Sequence, residues 1–176
     1  MFLFIVAFSI FMDFIAHLLW SMAIFWGPQV YLAMFFGVMP DLLPFGSNLI
    51  IGRFRNKGRK MKYPEDLFDY YRQPQNKWVY KFYNWTHSLV IWALSFMIAF
   101  IIERIQGSFP YYMFAWLLHV IMDIPTHTKA FFAPQFLTPL SKFCVDGKSW
   151  AYPAIMALNY GSLILFVVLR FVVKII

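Results

Sequence analysis

The sequence predicts an all-α integral membrane protein, a single-domain bundle of about five transmembrane helices, and three observations support this. The chain of 176 residues is 61% hydrophobic, whereas soluble domains are roughly 45–50% apolar. Apolar stretches of about 20 residues recur along it, the length that a helix needs to cross a bilayer. Charged and polar residues collect between these stretches, in segments 52–82 and 128–150. An ordinary soluble domain is therefore excluded.

The first span is predicted from Phe2 to Trp26 and ends at the turn formed by Gly27 and Pro28. We interpret it as a retained span rather than a signal peptide. No basic residues precede it, and Asp13 and His17 interrupt its apolar run.

The second helix is predicted to be broken within the membrane. Gln29 to Met39 is apolar but only about half as long as a span, and Pro40 to Pro44 interrupts the run before it resumes at 49–51. Broken membrane helices persist only where protein or a wet cavity satisfies the freed backbone. Asp41 lies at this break, which favours a functional role over simple helix capping.

A basic loop follows the second helix and sets the predicted orientation. By the positive-inside rule this loop is cytoplasmic, and topology explains its charge without a nucleic-acid partner. A contact with anionic lipid headgroups is the alternative. Pro64 to Tyr71 is predicted to be a short helix on the membrane surface. The basic residues of the loop are Arg53, Arg55, Lys57, Arg59, Lys60 and Lys62.

The remaining spans are predicted from Tyr83 to Ile102, from Phe109 to Ile124 and from Pro153 to Val173. The polar segment 128–150 is predicted to be a loop. The single Cys144 cannot form an intramolecular disulfide, so nothing favours an oxidising compartment.

His119, Asp123 and His127 are each four residues apart within apolar sequence. On a helix this spacing places all three side chains on one face. Pro125 should kink the helix, so His127 is predicted either to bind a metal or to stand off the stripe near the substrate. A hydrogen-bonded pair that joins two helices is the alternative interpretation for His119 and Asp123.

The predicted topology brings the polar residues of several spans to a similar depth in the inner half of the bilayer. Each ionisable group there costs on the order of 2.5–3.5 kcal/mol unless it is paired or hydrated. One divalent cation would compensate several of them together. A site of His and Asp without thiolate is typical of a catalytic metal with an open position, with zinc preferred and manganese or iron as alternatives. The predicted metal ligands are His17, Asp41, His87, His119, Asp123 and His127.

Two carboxylates are candidate catalytic residues. Asp13 or Asp41, if not taken up by the metal, is predicted to act as the general base. Asp13 is also expected to orient His17, four residues away, through the ring nitrogen that does not bind the metal.

Several short motifs, in this order and spacing, make the first 140 residues or so resemble the membrane-bound metal-dependent hydrolase family, whose bacterial members include LexA-binding, inner-membrane-associated hydrolases. The resemblance implies an all-helical membrane fold and a divalent-metal hydrolase activity. The motifs are Ala16-His17, Gly37-Val-Met-Pro-Asp41, Thr86-His87-Ser88, His119-Val-Ile-Met-Asp123-Ile-Pro-Thr126 and Thr138-Pro-Leu-Ser141.

The chain departs from the family pattern at two places. Leu42-Leu43-Pro44 and Phe82-Tyr83 stand where the family often has further candidate ligands. We therefore expect one metal rather than two. Its expected ligands are His17, Asp41, His87, His119 and Asp123, with His127 as a partial replacement.

The sequence thus predicts a hydrolase of the inner membrane that acts on a phosphoester or ester of a lipid or another membrane-associated substrate, with its metal site toward the cytoplasm. Two alternatives remain. Intramembrane Asp and His residues also mark proton or metal-ion pathways in transporters. The segment from Arg53 to Lys81 could instead bind a soluble protein partner, which would make the protein a membrane scaffold.

Overall fold

The structure is a computed structural model that describes residues 2–55 and 71–174, with side chains described for 13–51 and 71–174. These residues form helices and loops and contain no β-strand, so the predicted all-α class is confirmed for them. The predicted surface helix from Pro64, and the side chains of the basic loop from Arg53 to Lys62, lie outside the described residues.

The described backbone contains seven α-helices. Short π-helical segments follow the second and the last of them, at Leu42–Gly46 and Val168–Val173. The helices are α1 Phe2–Ile24, α2 Val30–Asp41, α3 Ser47–Arg55, α4 Lys77–Thr86, α5 Leu89–Ile105, α6 Met113–Thr126 and α7 Pro153–Val167.

Two helices in the described residues are long and apolar enough to cross a membrane, Val30–Ile51 and Pro153–Val173, which indicates a membrane protein. The bent pair of α4 and α5 is a third if it counts as one span. The prediction of five spans is therefore not supported. One reason is that α6 has 14 residues and is only about 21 Å long, less than the roughly 30 Å of hydrocarbon.

The break predicted from Pro40 to Pro44 is a change in helix type rather than a gap. The chain passes from α2 into a π-helical turn at Leu42–Gly46 and continues directly into α3. The prolines explain the change, because each lacks the N–H that an α-helical hydrogen bond requires. The wider turn keeps the helix continuous while it places Asp41 at the transition.

The third predicted span, Tyr83 to Ile102, is not one straight helix. It is broken between Thr86 and Leu89, and the two halves are bent by 56°. Contacts from distant parts of the chain satisfy the backbone at this break. The Trp116 indole N–H donates to the Thr86 carbonyl at 2.6 Å, and the Leu89 N–H donates to the Phe136 carbonyl at 2.8 Å.

The Ser88 side chain ends the break and starts α5. Its hydroxyl accepts hydrogen bonds from the N–H groups of Val90 and Ile91 and donates to the Thr138 carbonyl. Ser88 is therefore a helix N-cap that also attaches α5 to the polar loop. His87, immediately before it, is left outside both helices with its side chain fully buried.

Helix α2 lies at the centre of the fold, because it packs against both α1 and α6. A buried cluster of Met39, Met113, Trp116 and Val120 fills the space between α2 and α6. Against α1 the contact is closer still, since an ideal Cβ at Gly37 would lie 1.8 Å from Ser21 Oγ. This close approach brings the polar residues of α1, α2 and α6 together.

Candidate metal centre

Seven ionisable side chains from five parts of the chain meet in one buried cluster, which we call the His/Asp cluster. Helix α1 contributes two of them, α2 one, the α4–α5 break one, α6 two, and the residue after α6 one. The members are Asp13, His17, Asp41, His87, His119, Asp123 and His127. These are all the predicted site residues, and the structure brings every one of them together.

Asp123 is the centre of the cluster and is fully buried. Its Oδ1 lies 3.0 Å from His17 Nε2, and its Oδ2 lies 3.0 Å from His87 Nε2 and 3.3 Å from His119 Nε2. Asp41 faces the same histidines, with oxygens 3.5 Å from His87 Nε2 and 3.8 Å from His119 Nε2. Three imidazoles and two carboxylates therefore surround one small volume.

Backbone carbonyls fix the orientation of two of these imidazoles. His119 Nδ1 lies 2.7 Å from the Gly37 carbonyl oxygen, and His87 Nδ1 lies 2.9 Å from the Tyr83 carbonyl oxygen. A carbonyl only accepts hydrogen bonds, so Nδ1 carries the proton in both rings and Nε2 is the other nitrogen, turned toward the cluster. Metal-binding histidines are commonly held in this way, with the remote N–H bonded to a carbonyl or carboxylate.

The two Nε2 atoms of His87 and His119 are only 3.0 Å apart. With Nδ1 protonated, each Nε2 of a neutral ring carries a lone pair, and two lone pairs at this distance repel. A positive charge between the rings and the carboxylates removes the conflict, either a proton on one ring or a shared cation. Atoms bound about 2.1 Å from one ion lie about 3.0–3.4 Å from each other, which matches the shortest distances in the cluster.

Unsatisfied atoms favour the cation over a network of hydrogen bonds. Both ring nitrogens of His17, Oδ1 of Asp41 and Oδ1 of Asp123 are buried without a hydrogen-bond partner. His17 Nε2 and Asp123 Oδ1 are close enough to bond but are not aligned to do so. Buried polar atoms rarely remain unpaired, because each such group costs roughly 1–3 kcal/mol. One donor atom each from His17, Asp41, His119 and Asp123 lies within 4.8 Å of all the others, so this group could hold a metal ion.

Asp13 takes a different position from the one predicted. Its Oδ1 lies 3.6 Å from His17 Nε2, the nitrogen that also faces Asp123, and His17 Nδ1 has no hydrogen-bond partner. Asp13 therefore does not orient His17 through the second ring nitrogen. Both residues are on α1 one turn apart, and this places the Asp13 carboxylate on the Nε2 side of the His17 ring, within the cluster.

His127 lies after the end of α6, as the proline two residues earlier suggested. Its backbone is extended, and its Nδ1 is 3.8 Å from Asp123 Oδ2. The ring nitrogen is buried without a hydrogen-bond partner. The residue thus leaves the helical stripe, yet its side chain still reaches the central carboxylate.

Tyr83 is a member of the site that the sequence analysis missed. Its hydroxyl lies 3.3 Å from Asp123 Oδ2, its ring stacks on His87 with 3.6 Å between centroids, and it is fully buried. Its position four residues before His87 was the available signal, since such residues share a helix face. The Gly37 carbonyl was also missed, although Gly37 is four residues before Asp41 in the same helix.

Comparison of the chain with protein-family models, curated proteins and solved structures gave no match. The resemblance to the membrane-bound metal-dependent hydrolases therefore stays a prediction based on the motifs. The geometry of the His/Asp cluster is the main guide to function.

Proposed function

We propose that this protein is a metal-dependent hydrolase of the cell's inner membrane that acts on a phosphoester or ester of a lipid or membrane-associated substrate. The observation that carries the proposal is the orientation of the cluster. His87 and His119 turn their Nε2 atoms toward the carboxylates of Asp41 and Asp123, while their Nδ1 atoms are held by backbone carbonyls. A satisfied structural network would not need buried donors and acceptors left unpaired.

The donor set fits a catalytic rather than a structural ion. It contains imidazole and carboxylate but no thiolate, which suits zinc, manganese or iron in a site with an open position. When bound, such an ion makes a water molecule more acidic and polarises the oxygen of an ester or phosphoester.

Two carboxylates are candidates for moving the proton in the proposed reaction. Asp13 and Asp41 have side chains 11% and 14% exposed, whereas Asp123 is fully buried. In the proposed reaction the water oxygen forms a bond to the phosphorus or carbonyl carbon, and the bond from that atom to the leaving oxygen breaks. Asp13 or Asp41 accepts the proton from water and returns it to the leaving oxygen.

A membrane-associated substrate is proposed because of the side chains that surround Asp41, whose own side chain is partly exposed. The next two residues, Leu42 and Leu43, are exposed, and Leu49 and Ile50 of α3 are also exposed. In a membrane these apolar side chains would face lipid. A lipid ester could therefore approach the carboxylate along this side without passing through water.

The cytoplasmic placement of the site is part of the proposal, and it depends on the basic residues from Arg53 to Lys62, whose side chains lie outside the described part of the chain. The basic loop that begins at Arg53 would remain in the cytoplasm by the positive-inside rule. Since α3 leads directly from the Asp41 turn into that loop, the cluster would lie in the cytoplasmic half of the bilayer.

The decisive experiment is elemental analysis of the detergent-purified protein. We expect bound zinc, manganese or iron in the wild type, and loss of that metal in His119→Ala and Asp123→Asn. Asp146→Asn is the matched control, because Asp146 is an exposed carboxylate in the polar loop. Equal metal content in all four proteins would refute the ligand assignment.

If metal depends on the cluster, activity is tested next with phospholipid, isoprenoid-phosphate and nucleotide esters. The proposal requires hydrolysis of at least one class by the wild type and by Asp146→Asn, but not by His119→Ala. Metal binding without hydrolysis of any of these esters would favour a second candidate function, the transport of protons or metal ions.

That second candidate is a transporter for protons or metal ions. Two irregular helices meet at the cluster, the π-helical turn after Asp41 and the break after Thr86, and Thr86 Oγ1 donates to the Pro40 carbonyl at 2.8 Å. Ion sites in transporters are often built from such discontinuous helices. Divalent-ion flux into liposomes that is lost in His119→Ala would favour transport.

A further inference from the structure

The His/Asp cluster contains more ligands than one ion can use. Three imidazoles and two carboxylates already surround the space in front of Asp123, and a transition-metal ion in a protein usually takes four to six ligands. Asp13 and His127 remain outside this set. Their donor atoms form a second group with Asp123, in which all three atoms lie within 4.8 Å of one another.

The second group has the buried, unpartnered atoms that indicate a ligand. His127 is 7% exposed, and its Nδ1 has no hydrogen-bond partner although Asp123 Oδ2 is only 3.8 Å away. The Asp13 carboxylate approaches from α1, and its Oδ1 lies 3.6 Å from His17 Nε2. An imidazole and two carboxylates of this kind are ordinary ligands for zinc, manganese or magnesium.

The polar loop holds His127 in place. The Gly147 N–H donates to the His127 carbonyl at 2.9 Å, and the Lys148 N–H donates to the Pro125 carbonyl at 2.9 Å. A Cβ at Gly147 would lie 2.3 Å from the Pro125 oxygen, so the loop backbone packs directly on the end of α6. The extended His127 backbone is thus fixed by contacts rather than free to turn away.

Asp123 is placed to serve both groups. Its Oδ1 faces His17, while its Oδ2 faces His87, His119 and His127. Oδ2 therefore faces ligands of both groups, and a carboxylate oxygen shared in this way can bridge two ions, which lie about 3.5–4 Å apart in two-metal sites.

We propose that Asp13, Asp123 and His127 form a second divalent-cation site and that Asp123 bridges it to the first. This inference rests on the proposed function, because it requires the cluster to bind metal, and it differs from the single ion expected from the sequence. It also narrows the substrate, since two-metal sites are typical of phosphoester hydrolysis. With Asp13 bound to the second ion, and with His17, His87, His119 and Asp123 holding the first, Asp41 is the remaining candidate for the general base.

The test is the stoichiometry and magnetic coupling of Mn²⁺ in the purified, full-length protein. We expect about two Mn²⁺ per chain in the wild type, with the exchange-coupled electron paramagnetic resonance spectrum of a pair at this spacing. His127→Ala and Asp13→Asn should each bind about one Mn²⁺ and show an uncoupled spectrum. Asp146→Asn, outside the cluster, should retain the coupled pair.

The outcomes separate this inference from the proposed function. One uncoupled Mn²⁺ in the wild type, unchanged in His127→Ala, would overturn the second site and leave the first intact. No Mn²⁺, Zn²⁺ or Fe²⁺ in the wild type would overturn both. If His127→Ala does not fold, Asp13→Asn keeps the side-chain volume and carries the comparison, and the wild-type spectrum alone still distinguishes one ion from a coupled pair.

Discussion

Substitution of Gly37 by alanine should damage both the packing of the fold and the metal centre. Gly37 lies where α2 crosses α1, and an added Cβ would lie 1.8 Å from Ser21 Oγ and 2.7 Å from Ser21 Cβ. Rotation of the hydroxyl could relieve the first contact but not the second. The Ser21 hydroxyl also donates to the His17 carbonyl at 2.7 Å, so rotation would break that hydrogen bond.

The magnitude follows from how far the helices must separate. Ordinary contact for a Cβ begins at 3.4 Å, so Ser21 Cβ would have to move by about 0.7 Å. Overpacking of this kind costs about 1–3 kcal/mol. The same movement displaces the Gly37 carbonyl from His119 Nδ1, and loss of such a supporting contact typically lowers metal affinity about 10–100-fold.

Thermal unfolding in detergent and metal competition against a chelator measure the two effects. Gly161→Ala is the control, because a Cβ at Gly161 in α7 would meet nothing within 4 Å. Adding Ser21→Gly to Gly37→Ala removes the clashing atoms and should recover much of the lost metal affinity. If Gly37→Ala melts and binds metal like Gly161→Ala, the close crossing does not position His119 and this reasoning is wrong.

Three further predictions test the supports of the site. Ser88→Ala should lower the free energy of unfolding by about 1–2 kcal/mol relative to the control Ser95→Ala, because the substitution removes the N-cap of α5. Chemical denaturation measures the difference. Equal stability of the two variants would contradict the prediction. Tyr83→Phe should keep the fold but lower metal affinity up to about 10-fold, whereas Tyr80→Phe should not, as chelator competition would show. Bound metal should fall as the pH is lowered, because protons compete with the metal for the ligating imidazoles. Elemental analysis after equilibration at a series of pH values tests this, and metal content that does not change with pH would contradict histidine ligation.

The apolar pattern predicted the last helix well and the third helix poorly. Pro153–Val173 forms as expected because its apolar run is unbroken and a proline starts it. The break after Thr86 lies inside an equally apolar run, and it depends on acceptors and donors from residues far away in the chain, such as Trp116 and Phe136. Local hydrophobicity carries no information about those partners.

The site was predictable where it depends on spacing within one helix. His119 and Asp123 share a face of α6, and Asp13 and His17 share a face of α1, as four-residue intervals require. The contact of the Gly37 carbonyl with His119 was not predictable, because it requires α2 and α6 to pack at one particular distance. The predicted role of Asp13 was wrong because the four-residue interval indicates that Asp13 and His17 share a helix face, but it does not indicate which ring nitrogen of His17 the Asp13 carboxylate approaches.

The charge balance of the cluster connects its geometry with its proposed substrate. If all three carboxylates of the cluster are ionised when it binds metal, they carry three negative charges, and uncompensated charge in a low-dielectric site is costly. One divalent cation with neutral histidines would leave one negative charge, which would repel an anionic ester. Two divalent cations would leave one positive charge, which would attract it. For the enzyme proposed above, the two-ion form would therefore favour a phosphoester, whereas the one-ion form would favour a neutral carboxylic ester.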